Sequence, residues 1–326
     1  MTTRTLASSP RILPLYARAA APMLPGASLL PFVPGGGGEI PDIELELAGV
    51  AADPAAVAAY AKVCGFALRD QLPPTYPHVL AFPLQMAVMA DGSFPFGAVG
   101  LVHVENRIVQ CRPIGIGEEL TLRVHPTKLE PHPKGRTFTL VTEALAGDEL
   151  AWESVSTMLR RGRPEVDVAV PSGIREELRP RGTGPAEPVD SSAAEMQASA
   201  IWRLGGDLGR RYAAVSGDRN PIHMHALTAK PLGFPAAIAH GMWTKARCLA
   251  ALESRLPDSF AVEVRFRKPI LLPARVEFAS AAEGTEIAFA VRDARRHTPH
   301  LDGRIRPLED KPKAKTAKAT TRRKPK

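Results

Sequence analysis

Residues 212–223 read Tyr212-Ala-Ala-Val-Ser216-Gly-Asp218-Arg-Asn220-Pro-Ile-His223, and the first six have an echo. Tyr60-Ala-Lys-Val-Cys64-Gly65 carries the same pattern 152 positions earlier. Arg112-Pro113-Ile114 and Lys268-Pro269-Ile270 form a second pair in the same order, 156 positions apart. Two matches at near-equal offsets describe a chain built as two copies of one unit. In each copy a short strand precedes a helix, and several strand-length runs follow. Such a unit packs a helix on a curved antiparallel sheet, and its exposed edge pairs well with its sibling.

Outward from the repeat, the first copy has a strand over 43–47 and a helix from Asp53-Pro54 to Tyr60, with proline at the first turn. A proline-broken passage, Leu72 to Pro77, precedes a helix over 82–89. Strands follow over 100–108, 120–124, 137–143 and 149–159. The second copy has a strand over 199–204, a helix over 207–215, a polar loop over 216–223 and a helix from Gly241 to Leu252. Its strands fall near 261–267, 274–281 and 286–291, and the segment closing the sheet lies somewhere in 288–305. The units are read as 41–162 and 193–308, joined by a charged, Pro- and Gly-rich linker over 163–192. Residues 1–40, interrupted by Pro14, Pro22, Pro25 and Pro31, read as an irregular arm.

The formal net charge is +8, yet Lys311 to Lys326 alone holds eight cations and no anion, so residues 1–310 are formally neutral. The segment 309–326 is expected to be disordered, with weak nonspecific attraction for anions. A nucleic-acid-binding protein would rest wholly on this tail, which has no aromatic residue for base stacking. Cys64, Cys111 and Cys248 are widely spaced in apolar contexts and form no CxxC pair, against disulfides and a cysteine metal site. No apolar run approaches the roughly 18 residues of a membrane span, so a cytoplasmic protein is expected.

The two copies differ where chemistry could reside. Asp218, Asn220 and His223 in the second face Phe66, Leu68 and Gln71 in the first. An aspartate alone is a weak base at neutral pH, but an aspartate and a histidine held together can orient and deprotonate one water. Pro221 restricts the backbone before His223, and Asn220 is spaced to tie the loop down. Spacing alone also fits a capped turn with an ordinary histidine. His225 adds a metal alternative, with no third ligand at regular spacing. Gly241, after His240, either opens a helix whose free N–H groups accept an anion or allows close packing.

Ser216 to His223, Gly233-Phe234, Ile238-Ala-His-Gly-Met242 and Phe266-Arg-Lys-Pro269 with Leu272-Pro273-Ala274 resemble the MaoC-like family of (R)-specific enoyl-CoA hydratases and related acyl-thioester dehydratases. The match is dense over about 195–285, and the first half resembles an inactive unit of the double members. The resemblance implies an α+β double hot dog fold, each unit a curved antiparallel sheet wrapped on a central helix. It implies interconversion of trans-2-enoyl-CoA and (R)-3-hydroxyacyl-CoA, with no cofactor and no metal. Asp218 and His223 would activate the water and manage the C2 proton, with Asn220 beside them. The thioester carbonyl would rest on the N–H of Gly241. Phe66 and the 72–90 region are candidate acyl-chain lining. Lys245, Arg247, Arg267 and Lys268 are candidate carrier contacts, and His240 a candidate substrate contact. The same chemistry on acyl-carrier-protein thioesters is the nearest alternative, and a non-catalytic thioester-binding or assembly subunit the next. Two joined units are compatible with a monomer or a homodimer.

Overall fold

Among the residues described by the computed structural model, 1–20, 38–127, 129–162 and 196–308, the strands join in one sheet that draws the repeat twice. The first unit supplies β2 (Ile43–Val50), β3 (Val102–Gln110), β4 (Leu120–Pro126), β6 (Gly135–Ala146) and β7 (Glu149–Arg161), with β1 (Thr2–Thr5) outside β2 and β5 (Glu130–His132) on β6. The second supplies β8 (Ala198–Leu204), β9 (Phe260–Phe266), β10 (Ala274–Glu283), β11 (Glu286–Asp293) and β12 (Pro299–Pro307). Read from outside inward, β2-β4-β6-β7-β3 and β8-β10-β11-β12-β9 correspond strand for strand. They meet where β3 and β9 run antiparallel with Arg107 opposite Glu263. Those two positions are 156 apart, the offset of the Arg112 and Lys268 motifs. A residue facing its own counterpart lies on a pseudo-two-fold axis, so the chain resembles an isologous dimer fused in sequence.

The repeated helices end alike. α2 (Pro54–Cys64) starts where Asp53 accepts the N–H groups of Ala55 and Ala56, and stops at Gly65, φ 87°. α4 (Leu208–Ser216) stops at Gly217, φ 77°. Glycine takes this left-handed cap without a Cβ penalty. In both, the cap N–H returns to a carbonyl four residues back, Ala61 or Ala213. α2 and α4 pack together, with Tyr60 and Tyr212 ring centroids 6.1 Å apart. The central helices are α3 (Tyr76–Met89) and α7 (Gly241–Ala251), both buried over most of their length. α3 packs on β4, β2 and β6, where Leu120, Leu122 and Val124 point inward from β4.

The junction holds buried charge. Lys245 of α7 is fully buried, and its Nζ donates to Asn106 Oδ1, to the Asn106 carbonyl at 3.3 Å and to the Val262 carbonyl at 3.1 Å. Arg107, also buried, meets Glu263 at 3.1 Å. These contacts tie α7 to the β3–β9 seam.

Several expectations need correction. The first twenty residues are not irregular: β1 pairs parallel with β2, Thr2 opposite Ile43, and Ile12–Ala20 forms a helix, α1. Pro14 falls in its first turn, where a missing N–H costs nothing. The central helix of the first unit begins at Tyr76 rather than 82, again with proline at its start. The closing strand is β12, between β11 and β9. Its Gly303 faces Phe289, whose ring would lie 2.3 Å from any Cβ there. The linker over 163–192 and the tail over 309–326 lie outside the described residues. No helix among the described residues is long and apolar enough to cross a membrane.

Candidate active site

The loop after α4 is shaped by backbone bonds around one carboxylate. Asp218 Oδ1 accepts the N–H of Asn220 at 3.1 Å and the Tyr16 hydroxyl at 3.0 Å. Pro221 then opens a four-residue helix, α5 (Pro221–Met224), which carries His223, and the short α6 (Ala226–Ala229) follows it. The His223 N–H donates to the Asn220 carbonyl at 3.0 Å. Its Nδ1 lies 2.8 Å from the Ile238 carbonyl oxygen. A carbonyl can only accept, so Nδ1 carries the proton and neutral His223 keeps its lone pair on Nε2. The His240 ring stacks on His223 with centroids 3.6 Å apart, and its Nε2 donates to the Asp218 carbonyl at 3.0 Å.

Electrostatics assign the charges. Burial alone would raise the Asp218 carboxyl, but His240, His223, the Asn220 N–H and the Tyr16 hydroxyl together hold it below its ordinary value. Burial lowers His223, partly offset by Asp218 and the Ile238 bond. Burial and the neighbouring His223 push His240 down to about 3. At neutral pH the site therefore holds one carboxylate and neutral imidazoles. The Asp218 side chain keeps 29% of its surface exposed.

Both units wall the cavity of about 180 Å³ that opens here. The second contributes Asp218, Asn220, His223, His240 and Gly241; the first contributes one face of α3, His78, Phe82, Gln85 and Met89. That spacing of 4, 3 and 4 is a single helical stripe. Exposed Lys134, Arg161, Arg267 and Lys268 border its solvent side.

The predicted residues divide accordingly. Asp218, Asn220, His223 and Gly241 converge on the cavity, and Arg267 and Lys268 reach its edge. Asn220 ties the loop through its backbone rather than its amide, whose buried Oδ1 has no partner. Gly241 is the first residue of α7, and a Cβ there would come within 3.0 Å of the Phe266 ring. It thus serves close packing while leaving the first-turn N–H groups of α7 without intrahelical acceptors. His240 also lines the cavity, but its Nε2 is committed to the loop and its Nδ1 is enclosed. Three expectations fail. Phe66 is packed in the hydrophobic core rather than on the cavity wall. Lys245 cannot meet a carrier phosphate, because all its donors point into the seam. Arg247 lies over the Trp202 ring at 5.0 Å and against Gly65, away from the cavity.

Sequence reasoning missed Tyr16, Gly209 and His103, and named His78 only within the 72–90 region. Tyr16 comes from α1, some 200 positions away; the spacing Ile12, Leu15, Tyr16, Ala19 was its only sign, an apolar helical stripe. Gly209 lets α4 approach α5, since a Cβ would lie 1.9 Å from the His223 carbonyl oxygen. His78 accepts from Gln85 Nε2 at 3.3 Å on its Nδ1, and Gln85 also donates to Thr142 at 3.1 Å. His103 sits beside Phe266, centroids 5.1 Å apart.

Asp218, His223 and His240 each bring one ligand-type atom within 4.8 Å of the others. Stacking argues against a shared ion. The two ring planes are inclined by only 24° at a 3.6 Å centroid separation. Their in-plane lone pairs run nearly parallel and do not meet within the roughly 2.1 Å of a metal–imidazole bond.

Comparison with known proteins places this geometry. The family profile described as MaoC like domain matches residues 196–303. The 3-hydroxyacyl-thioester dehydratase X of Mycobacterium tuberculosis is 38% identical over 282 residues, 86% of this chain and 95% of the relative. The crystal structure of HtdX of Mycobacterium tuberculosis aligns with TM-score 0.69 at 35% identity, covering 81% of this chain and 100% of that one. Another Mycobacterium tuberculosis protein, described as a double hotdog fold, aligns with TM-score 0.53 at 14% identity over 80% of this chain and 93% of that one, a likeness of fold alone. The two-unit architecture is a double hot dog, and the chain belongs to the MaoC-like dehydratase family.

Proposed function

We propose that the chain is an acyl-thioester hydratase/dehydratase, interconverting a trans-2-enoyl-CoA and the (R)-3-hydroxyacyl-CoA by acid–base chemistry. The observation that carries this reading is the convergence of an ionised Asp218 and a neutral His223, its Nδ1 committed to Ile238, on one cavity. The name of the 38% identical relative, 3-hydroxyacyl-thioester dehydratase X, supports the same reaction class.

In hydration, water sits between Asp218 and His223. His223 Nε2 takes one water proton as the oxygen bonds C3 of the enoyl thioester. Negative charge moves to the thioester oxygen, which the N–H of Gly241 at the start of α7 stabilises. The proton taken by His223 is returned to C2, so water adds across the double bond and the enzyme is restored. Dehydration is the reverse. No step needs a redox cofactor or a metal. The acyl chain runs along the α3 stripe, and the basic residues at the edge meet the carrier. Free cysteines fit a reducing, cytoplasmic setting. The β3–β9 seam lets a single chain supply the pairing that separate units need a partner for.

Asp218→Asn and His223→Ala should each fold and lose roughly 10²–10⁴-fold in crotonyl-CoA hydration, the usual worth of a positioned acid or base. Turnover at the unsubstituted level in both would refute the site. Enoyl-CoAs of different chain length, run beside the same acyl groups on carrier protein, identify the carrier.

A further inference from the structure

We infer that Tyr16, carried on the N-terminal helix α1, is a positioning residue for the Asp218 carboxylate, which rests on the acid–base role proposed for Asp218. Its hydroxyl has one proton to give and lone pairs to accept with, and both capacities are used. It donates to Asp218 Oδ1 at 3.0 Å and accepts the Arg219 N–H at 2.7 Å. The second contact fixes the direction of the first. Burial, then Asp218 itself, raise the phenol well above its ordinary value, so it stays protonated.

The repeat supplies an internal control. Ala67 stands 152 positions before Arg219, so the two backbone N–H groups are counterparts. In the first unit that N–H is taken by a carboxylate, Glu253 Oε2 at 2.9 Å. There the neighbouring position is Phe66, and a negative charge is harmless. Beside Asp218 a second carboxylate would oppose ionisation of the first. A phenol satisfies the same N–H and adds a donor for the aspartate. The partner of this N–H thus differs between the units in the sense that acid–base chemistry requires.

The helix is seated rather than incidental. Leu15 and Ala19 are buried, and Ile12 packs so closely on Gly217 that a Cβ there would meet its Cδ1 at 2.6 Å. The pairing of β1 with β2 holds the segment before it. Asp218 is faced by His223 on α5, His240 at the start of α7, Tyr212 on α4 and Tyr16 on α1, with His78 on α3 and His103 on β3 further off. With Oδ1 held by Tyr16 and the Asn220 N–H, Oδ2, 3.7 Å from His240 Nε2, is left for a water or substrate hydroxyl.

Two substitutions test this beside Asp218→Asn, with crotonyl-CoA hydration followed across pH. Tyr16→Phe keeps the ring and removes the hydroxyl; kcat should fall about 10- to 100-fold, the worth of a charge-assisted hydrogen bond, with KM little changed. Tyr16→Glu puts a second carboxylate beside Asp218, and its effect is read as a shift of the pH profile, which loss of loop structure by itself would not produce. It should move the acid limb of kcat/KM to higher pH, because two carboxylates then share the site. An inactive Asp218→Asn with an unmoved acid limb in Tyr16→Glu, or with full kcat in Tyr16→Phe, overturns the role of Tyr16. An active Asp218→Asn instead overturns the assignment of Asp218.

Discussion

Replacing Gly209 by alanine separates two kinds of reasoning. Gly209 is the second residue of α4, and by helix propensity alone alanine there should stabilise by about 0.5–1 kcal/mol. The tertiary structure gives the opposite sign. The new Cβ would lie 1.9 Å from the His223 carbonyl oxygen and 3.0 Å from its carbonyl carbon. Ordinary contact begins at 3.4 Å, so this backbone must retreat by about 1.5 Å. The atoms concerned are main chain, with no rotamer to yield. His223 would then be pulled from its 2.8 Å bond to Ile238 and its 3.6 Å stack on His240. Misplacing a reacting group by about 1 Å costs on the order of 10²-fold in rate, and overpacking costs about 1–3 kcal/mol of stability. Gly209→Ala should therefore fold, melt a few degrees lower and hydrate crotonyl-CoA roughly a hundredfold more slowly. Gly206→Ala is the matched control, with nothing within 4 Å of its Cβ, and should keep full activity. A Gly209→Ala enzyme with unchanged kcat and a raised melting temperature would refute the close approach of α4 and α5.

Two further outcomes follow from buried groups. Lys245→Met leaves Asn106 Oδ1 without its ammonium donor, and an unsatisfied buried acceptor costs about 1–3 kcal/mol. The melting temperature should fall while KM for acyl-CoA holds; the reverse pattern would place Lys245 at the carrier after all. Burial pushes His78 down to about 4, and His103 and His240 to about 3. Their unfolded imidazoles titrate near 6.5, so as pH drops from about 6.5 towards 4 the unfolded chain takes up protons that the native state refuses. Stability should be full above that window and fall within it, by up to about 1.4 kcal/mol per pH unit for each group. Melting curves at pH 7.5 and 5 read this directly, and equal midpoints would contradict the neutral, buried histidines.

Much of the fold was legible because the chain states it twice. The Tyr60 and Tyr212 motifs recur at the two helix ends, each closed by a left-handed glycine, and β4 alternates buried with half-buried residues along its whole length. The helix boundaries that the structure moves involve proline. Pro14 and Pro77 look like breaks in the sequence, yet each lies in a first turn, where proline starts a helix as readily as it ends one. The loop of Asp218 and His223 was legible because both residues, and Asn220 between them, are local in sequence.

Read residue by residue, the chain thus carries the duplicated unit, the family resemblance and a loop whose residue types can move a proton. Tertiary structure alone decided the rest, because side-chain environment depends on distant packing. It turned Lys245 from a candidate carrier contact into a buried strut of the seam, and sent Phe66 into the core. It brought Tyr16 across 202 positions onto Asp218. Periodicity tells which face of a helix is apolar, but not which distant helix will cover it; that is fixed only when both units close around their shared sheet.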